Sequence, residues 1–179
     1  MESKRIAIQY YKSPLGELIL GDFENQLVLC DWLHRKSRDK IDRRIQTALN
    51  AQYLEKETNT TQLAKGQLTE YFLKQRQQFN LNILTIGSNF QKQVWQALLS
   101  IPYRKTASYL DLAKSIENLA AIRAVAAANG ANALSIIIPC HRIIGSDGKL
   151  VGYAGGLATK RKLLQLENPR NISNQLSLF

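Results

Sequence analysis

The order of hydrophobic periods along the chain limits the fold more than any other feature. Up to residue 33 apolar side chains alternate with polar ones or stand in short runs; beyond it they recur mostly at helical spacing. A chain that begins as strands and continues mostly as helices falls in the α+β class. Residues 5–12, RIAIQYYK, read as a first strand. Ser13-Pro14-Leu15-Gly16 is turn chemistry, residues 17–20, ELIL, resume as a second strand, and QLVLCDWL after Gly21-Asp22 is a third. Joined by tight turns, these predict an antiparallel meander. Ile41, Ile45, Ala48 and Leu49 predict a helix from Asp39 to about Tyr53. Leu68, Phe72 and Leu73 predict another from about Gln62 to Lys74, and residues 79–84 pattern as a short strand returning to the sheet. No internal repeat is visible. Residues 84–88 read as a linker between a first domain, 1–83, and a second, 89–168.

The second domain opens on a clear helix signal. Ser88 stands three residues before Gln91, a capping-box spacing, and Phe90, Val94 and Leu98 share a face with Trp95 and Leu99 beside them until Pro102 stops the helix. A short helix is expected from Ser108, with Asp111 three residues on, to about Ile116. A third runs from Asn118 through AAIRAVAAAN to Gly130. Short helix, turn and Ala-rich helix is the outline of a helix-turn-helix. Ala124, Ala126, Ala127 and Ala128 leave little side chain between that last helix and a partner, and Arg123 is its one long cation. Such a face suits close approach to a groove, or to a neighbouring helix.

Charge adds a direction. Lys plus Arg number 24 against 14 Asp plus Glu, a formal net charge of +10. Residues 1–88 hold 13 basic and 10 acidic side chains and residues 89–179 hold 11 and 4, so the second half carries most of the field that attracts anions. The first dozen residues have no apolar core of a signal peptide, and no apolar run approaches the roughly 20 residues that span a bilayer. Two cysteines, Cys30 and Cys140, cannot build a disulfide scaffold. A soluble protein of the cytoplasm, with no membrane partner, is the expectation.

The reactive chemistry lies in SIIIPCHRIIG, residues 135–145. Ile136–Ile138 read as a buried strand ended by Pro139, which would display Cys140 and His141 at a strand end. A thiol attacks as thiolate, so a base or cation must raise that fraction at neutral pH. Glycines 145, 148, 152, 155 and 156 punctuate the stretch that follows, and ATKRKLLQLE reads as a helix ending on Glu167. A carboxylate there could orient His141, completing a thiol–imidazole–carboxylate relay. Read alone, Cys-His is equally a buried cysteine beside a structural histidine.

Taken together, GSNFQKQVWQALLSIPY, SYLDLA, RAVAAANGAN, IIIPCHRIIG and GYAGGLATK, in that order, make residues 87–167 resemble the catalytic domain of the O6-alkylguanine-DNA alkyltransferases. SPLGELIL is a weaker match to the same family's N-terminal domain. The resemblance implies a small ribonuclease-H-like α/β domain with an antiparallel sheet, followed by a mostly helical domain with a winged-helix-like helix-turn-helix. It implies that Cys140 accepts the alkyl group, that His141 takes its proton through a water, and that Glu167 orients His141. Asn132 would brace the turn before the reactive site. Tyr109 would contact the flipped base and supply a proton. Ile143, Tyr153 and Ala154 would line the guanine pocket. Arg123 would enter the base stack, with Ala124, Ala127, Ala128 and Asn129 on the DNA-facing helix in the minor groove. The partner implied is double-stranded DNA carrying O6-alkylguanine, and O4-alkylthymine as a further substrate, met by a monomer without cofactor.

Three positions depart from the family pattern. Arg104 stands where a Gly is usual, Ala126 replaces a Gly on the DNA-facing helix, and Ala133 replaces a Pro after Asn132. Some relatives carry an N-terminal zinc; here Cys30 and His34 are two ligand types where zinc wants four, and Phe23 occupies one of the positions needed, so no metal is expected. Trp32 and Trp95 are expected in cores. The tail, 169–179, is expected to be flexible. Two other readings are a cysteine hydrolase using Cys140, His141 and Glu167, which would turn over, and a non-catalytic damage-binding module, which the presence of Cys140 argues against.

Overall fold

The structure is a computed structural model that describes residues 4–169. The chain divides into two compact units between Gly87 and Ser88.

In the first unit, strands β1 (Lys4–Ser13), β2 (Gly16–Phe23) and β3 (Gln26–Trp32) form the expected meander, antiparallel at both pairings. Ser13 shapes the first turn, its Oγ accepting from the Leu15 N–H at 3.1 Å and donating to the Gly16 carbonyl at 2.6 Å. Glu24 and Asn25 both have positive φ, the geometry of a two-residue hairpin turn whose twist matches its strands. β1 buries only alternate residues, Ile6 and Ile8, whereas β2 and β3 are buried almost throughout. The outer edge of β3 is closed by Leu27 donating to the Asn82 carbonyl and accepting from Leu84. The strand expected at 79–84 is therefore reduced to this one bridge at Ile83.

A second difference lies at the end of helix α1 (Arg38–Leu49). The helix expected to reach Tyr53 stops at Leu49 because Asn50 takes the left-handed conformation, φ 46°. The chain then enters β4 (Ala51–Glu55), which runs parallel to β1 and makes the sheet order β3-β2-β1-β4. The sheet is thus antiparallel except at this edge. Helix α2 (Asn59–Phe72) starts at a Thr58–Thr61 capping box and packs on β1, β2 and β3.

In the second unit, helices α3 (Asn89–Leu99) and α4 (Tyr109–Ser115) begin at capping boxes, Ser88 with Gln91 and Ser108 with Asp111. A short 3-10 turn, Leu119–Ala121, leads into α5 (Ile122–Gly130). Trp95 donates from Nε1 to the Ala128 carbonyl at 2.8 Å, tying α3 to α5. Two-residue strands β5 (Ala107–Ser108) and β6 (Ile143–Ile144) pair in parallel, and α6 (Leu157–Glu167) closes the described chain. The tail from residue 170 lies outside the described residues.

Candidate active site

The route to Cys140 is not the strand that the apolar run predicts. Ile136, Ile137 and Ile138 are buried as expected, but Ile136 has φ 73° and Ile138 donates back to the Leu134 carbonyl at 2.8 Å. A β-branched residue in the left-handed region is strained, so surrounding packing must hold this turn. Pro139, at φ −81° and ψ 59°, then sits at the centre of an inverse γ-turn, with the Cys140 N–H donating to the Ile138 carbonyl at 2.8 Å. Cys140–Arg142 form one 3-10 turn. The thiol is not displayed at a strand end: Cys140 is only 3% exposed.

Its neighbours are polar. Asn132 Nδ2 donates to Cys140 Sγ at 3.2 Å and to the Ile138 carbonyl at 3.0 Å, while its Oδ1 accepts from the Leu134 N–H at 2.9 Å. One side chain therefore braces both ends of the turn and points a donor at the sulfur. His141 is fully buried, and its Nε2 lies 2.7 Å from Glu167 Oε1. A carboxylate only accepts, so Nε2 carries the hydrogen and Nδ1 is left with a lone pair. Nδ1 is buried and has no hydrogen-bond partner among the described residues. The imidazole is thus oriented as a base by its own carboxylate.

Burial lowers the His141 pKa below the usual imidazole value, against the opposing pull of Glu167. For Glu167, burial pushes up, but His141 and Arg142 outweigh it and bring the carboxyl down to about 2. Arg142 grips that carboxylate from Nε and Nη2, each at 3.0 Å, and donates from Nη1 to the Ile101 carbonyl. Arg104 completes the clamp, its Nε donating to the Glu167 carbonyl at 2.9 Å. Arg104 has φ 68°, so the glycine-type turn is kept although the residue is not glycine.

Tyr109 lies at the start of α4, half-buried, with the Asn129 side chain near its hydroxyl. Burial and the nearby Cys140 raise its pKa. A Cβ placed on Gly152 would lie 3.5 Å from that hydroxyl, so the Gly-rich loop passes beside it. Tyr153 packs edge-on to the His141 ring at 6.4 Å, Ala154 is half-buried next to it, and Ile143 is fully buried in β6. The expected face of α5 is only partly present. Arg123, Ala124 and Ala127 are exposed, but Ala128 and Asn129 turn inward, toward Trp95 and Tyr109 respectively. Helical spacing explains this: Ala128 and Asn129 share the face of buried Val125.

Lys160 was not anticipated. It is wholly buried and donates from Nζ to the carbonyls of Val151 at 2.7 Å and Gly152 at 3.0 Å. Burial lowers its pKa to about 8, with Cys140 pulling the other way. The signal was present in sequence: Lys160 is three, four and seven residues before Leu163, Leu164 and Glu167, on the stripe that faces the core.

Two family models cover almost the whole chain. The 6-O-methylguanine DNA methyltransferase ribonuclease-like domain matches residues 6–85, and the DNA binding domain of the same name matches residues 89–169. The chain belongs to the 6-O-methylguanine DNA methyltransferase family. Among this family's members, the methylated-DNA–protein-cysteine methyltransferase of Methanosarcina barkeri is 43% identical over 156 residues, covering 87% of this chain and 93% of its own. The constitutive enzyme of Bacillus subtilis is 40% identical over 164 residues, covering 89% and 96%. The crystal structure of Mycobacterium tuberculosis OGT in complex with DNA superposes at a TM-score of 0.76 with 37% identity, over 93% of this chain and 94% of that one. The family membership accounts for the α+β order of a ribonuclease-like sheet domain followed by a helical DNA-binding domain.

Proposed function

We propose that this protein repairs DNA by moving the alkyl group of O6-alkylguanine, and of O4-alkylthymine, onto its own Cys140. The methyltransferase activity and the DNA partner follow from the family. The observation that carries the residue assignment is Asn132 Nδ2 at 3.2 Å from Cys140 Sγ, beside an imidazole that its carboxylate holds with the basic nitrogen free of a proton. Among the described residues no helix is long and apolar enough to cross a membrane. In this reading the protein acts as a monomer in the cytoplasm, at the nucleoid when bound.

The step balances simply. The sulfur–carbon bond forms as the carbon–O6 bond breaks, and the electron pair of that bond stays on the purine oxygen. His141 Nδ1 accepts the thiol proton through a water that would satisfy it, and the restored guanine regains the one proton it needs. Tyr109, at the start of α4, delivers that proton as O6 takes on charge, and the proton taken up by His141 returns to the phenolate through water, so that no net charge is left behind. The Lys160 cation lies close enough to favour the thiolate over the thiol. Glu167, gripped by Arg142 and Arg104, fixes the imidazole tautomer and the ring plane. No cofactor is called for.

A base inside a duplex cannot reach a sulfur this covered, so the nucleotide must leave the stack, at a cost of a few kcal/mol. Arg123 fills the gap, with Ala124 and Ala127 allowing α5 close to the sugar edges. The everted base enters beside Tyr109 and His141 and lies against Ile143, Tyr153 and Ala154. A thioether has no carbonyl for water to attack, so each molecule reacts once. The test is an intact-mass measurement after incubation with a duplex containing O6-methylguanine, followed by a peptide map. One methyl on the Cys140 peptide, absent from Cys140→Ala, is the expected result; catalytic release from many substrates per protein would overturn it.

A further inference from the structure

One run of the sequence takes no part in alkyl transfer. HRKSRDKIDRR, residues 34–44, holds six of the thirteen basic residues of the first half and two acids. The structure sorts these charges into two sets. Arg35 and Arg38 turn inward to the fully buried Asp31, at 2.8 and 3.0 Å, and Arg38 also pairs with Asp42. The other set, Lys36, Lys40, Arg43 and Arg44, lines a groove of about 860 Å³ along α1, with Ser37, Thr47 and Ala48. Asp39 is the one acid on its wall. Lys36, Lys40 and Arg43 are exposed and in no ion pair among the described residues.

This arrangement concentrates cations on one side without neutralising them. Burial is the main cause that pushes the Arg44 guanidinium at the groove below its ordinary value, with Arg35 and Arg38 adding to it and Asp31 opposing. An anion would pair with the exposed Lys36, Lys40 and Arg43 on the groove wall. The groove is open, and its walls are the aliphatic stems of long basic side chains rather than a closed polar cage. Lys40 and Arg44 are about 6 Å apart along the helix axis, the same order as two steps of a phosphate ladder that advances about 3.4 Å per charge on each strand. An extended polyanion fits such a surface better than a small enclosed ligand does.

We propose that the α1 groove is a second phosphate-binding surface, by which the N-terminal unit holds the sugar–phosphate backbone of DNA outside the alkyl-accepting unit. It deepens the DNA-repair reading and rests on it. The contact carries no sequence information; it adds affinity and salt dependence.

The test uses the full chain and a short undamaged duplex carrying a fluorophore, with anisotropy titrations at several salt concentrations. The variant is Lys40→Ala/Arg43→Ala. The control is Lys12→Ala/Lys56→Ala, which removes the same charge from exposed positions outside the groove. Loss of two phosphate contacts flattens the slope of log K against log salt by about 1.8, so wild-type affinity falls about tenfold more than the variant's between about 50 and 200 mM salt. The control slope stays near wild type. Alkyl transfer from a free O6-alkylguanine base, which needs no phosphate contact, stays unchanged in both pairs and shows that each variant is folded. Equal slopes for the groove pair and the control pair overturn the proposal. A wild-type protein that does not bind the duplex at all overturns the DNA-repair reading instead.

Discussion

In the mechanism we propose, His141 is a base whose working range is moved by burial. Its pKa lies below the ordinary imidazole value, so it stays neutral, and able to take a proton, to lower pH than a solvated histidine would. The rate of transfer from a free O6-alkylguanine base should therefore hold level as pH falls to about 6.5, the unperturbed value, and drop only below it. A stopped-time mass assay across that range gives the profile, and an inflection at or above 6.5 would contradict the assignment. Lys160 makes the opposite kind of prediction, about stability. Its pKa is about 8 in the folded protein and 10.5 in the unfolded one. Between those values the unfolded chain binds more protons, so its contribution to stability rises with pH; below 8 the cost of the buried charge is present in full. Relative to Lys160→Met, wild type should gain on the order of 2 kcal/mol between pH 7.5 and 10. Urea midpoints of the two proteins measure it, and a gap that does not change with pH would remove the buried cation from the account.

Strand pairing in the first unit depends on one small residue. Gly21 lies at the register shift between β2 and β3, and a Cβ there would come within 3.0 Å of Leu29 Cβ and 3.3 Å of Ile6 Cγ2. Both contacts are side chains of the packed sheet, so Gly21→Ala should destabilise the unit by about 1–3 kcal/mol, read as a lower urea midpoint. An unchanged midpoint would show that β1 and β3 can yield. Such positions mark the limit of what the sequence makes legible. Alternation in RIAIQYYK and ELIL revealed the meander, and the Ser88 and Ser108 boxes revealed two helix starts, because each of those signals is local. The parallel β4 was hidden because Asn50 ends α1 through a backbone angle that leaves no periodicity. Ile136–Ile138 were legible as buried but not as a turn, since burial and extended shape give the same apolar run. Cys140, His141 and Glu167 were named by motif; the chain joins His141 to Glu167 at 2.7 Å and sets Asn132, rather than the imidazole, against the sulfur. Arg142 and Lys160 escaped because long basic side chains are normally taken as solvated, although both lie beside residues that were recognised. Arg104 shows the converse, a departure from pattern at which the backbone keeps the left-handed turn and the new side chain finds Glu167.

At the scale of the molecule, the two units give the single-use chemistry proposed for Cys140 a physical consequence. Cys140 is 3% exposed and its sulfur accepts from Asn132. Adding a methyl puts extra volume into a closed site and takes away the charged acceptor that Asn132 can face. Overfilling a packed site costs about 1–3 kcal/mol, and for a unit of this size each kcal/mol lowers the midpoint by roughly 4–8 °C. The cost should be confined to the unit that holds the cysteine, because Gly87 and Ser88 separate it from the sheet and the two need not unfold together. The chain's two tryptophans report on the units one each: Trp32 is buried in β3 and Trp95 in α3. Trp32→Phe leaves Trp95 as the probe of the alkyl-accepting unit, and Trp95→Phe leaves Trp32 as the probe of the sheet. Thermal melts of each variant, before and after complete reaction with O6-methylguanine duplex and removal of the DNA, should show the Trp95 midpoint falling by several degrees while the Trp32 midpoint holds. If both midpoints fall together, the units unfold as one body and the destabilisation is shared; if neither moves, the site has room for the methyl and the spent protein is as stable as the fresh one.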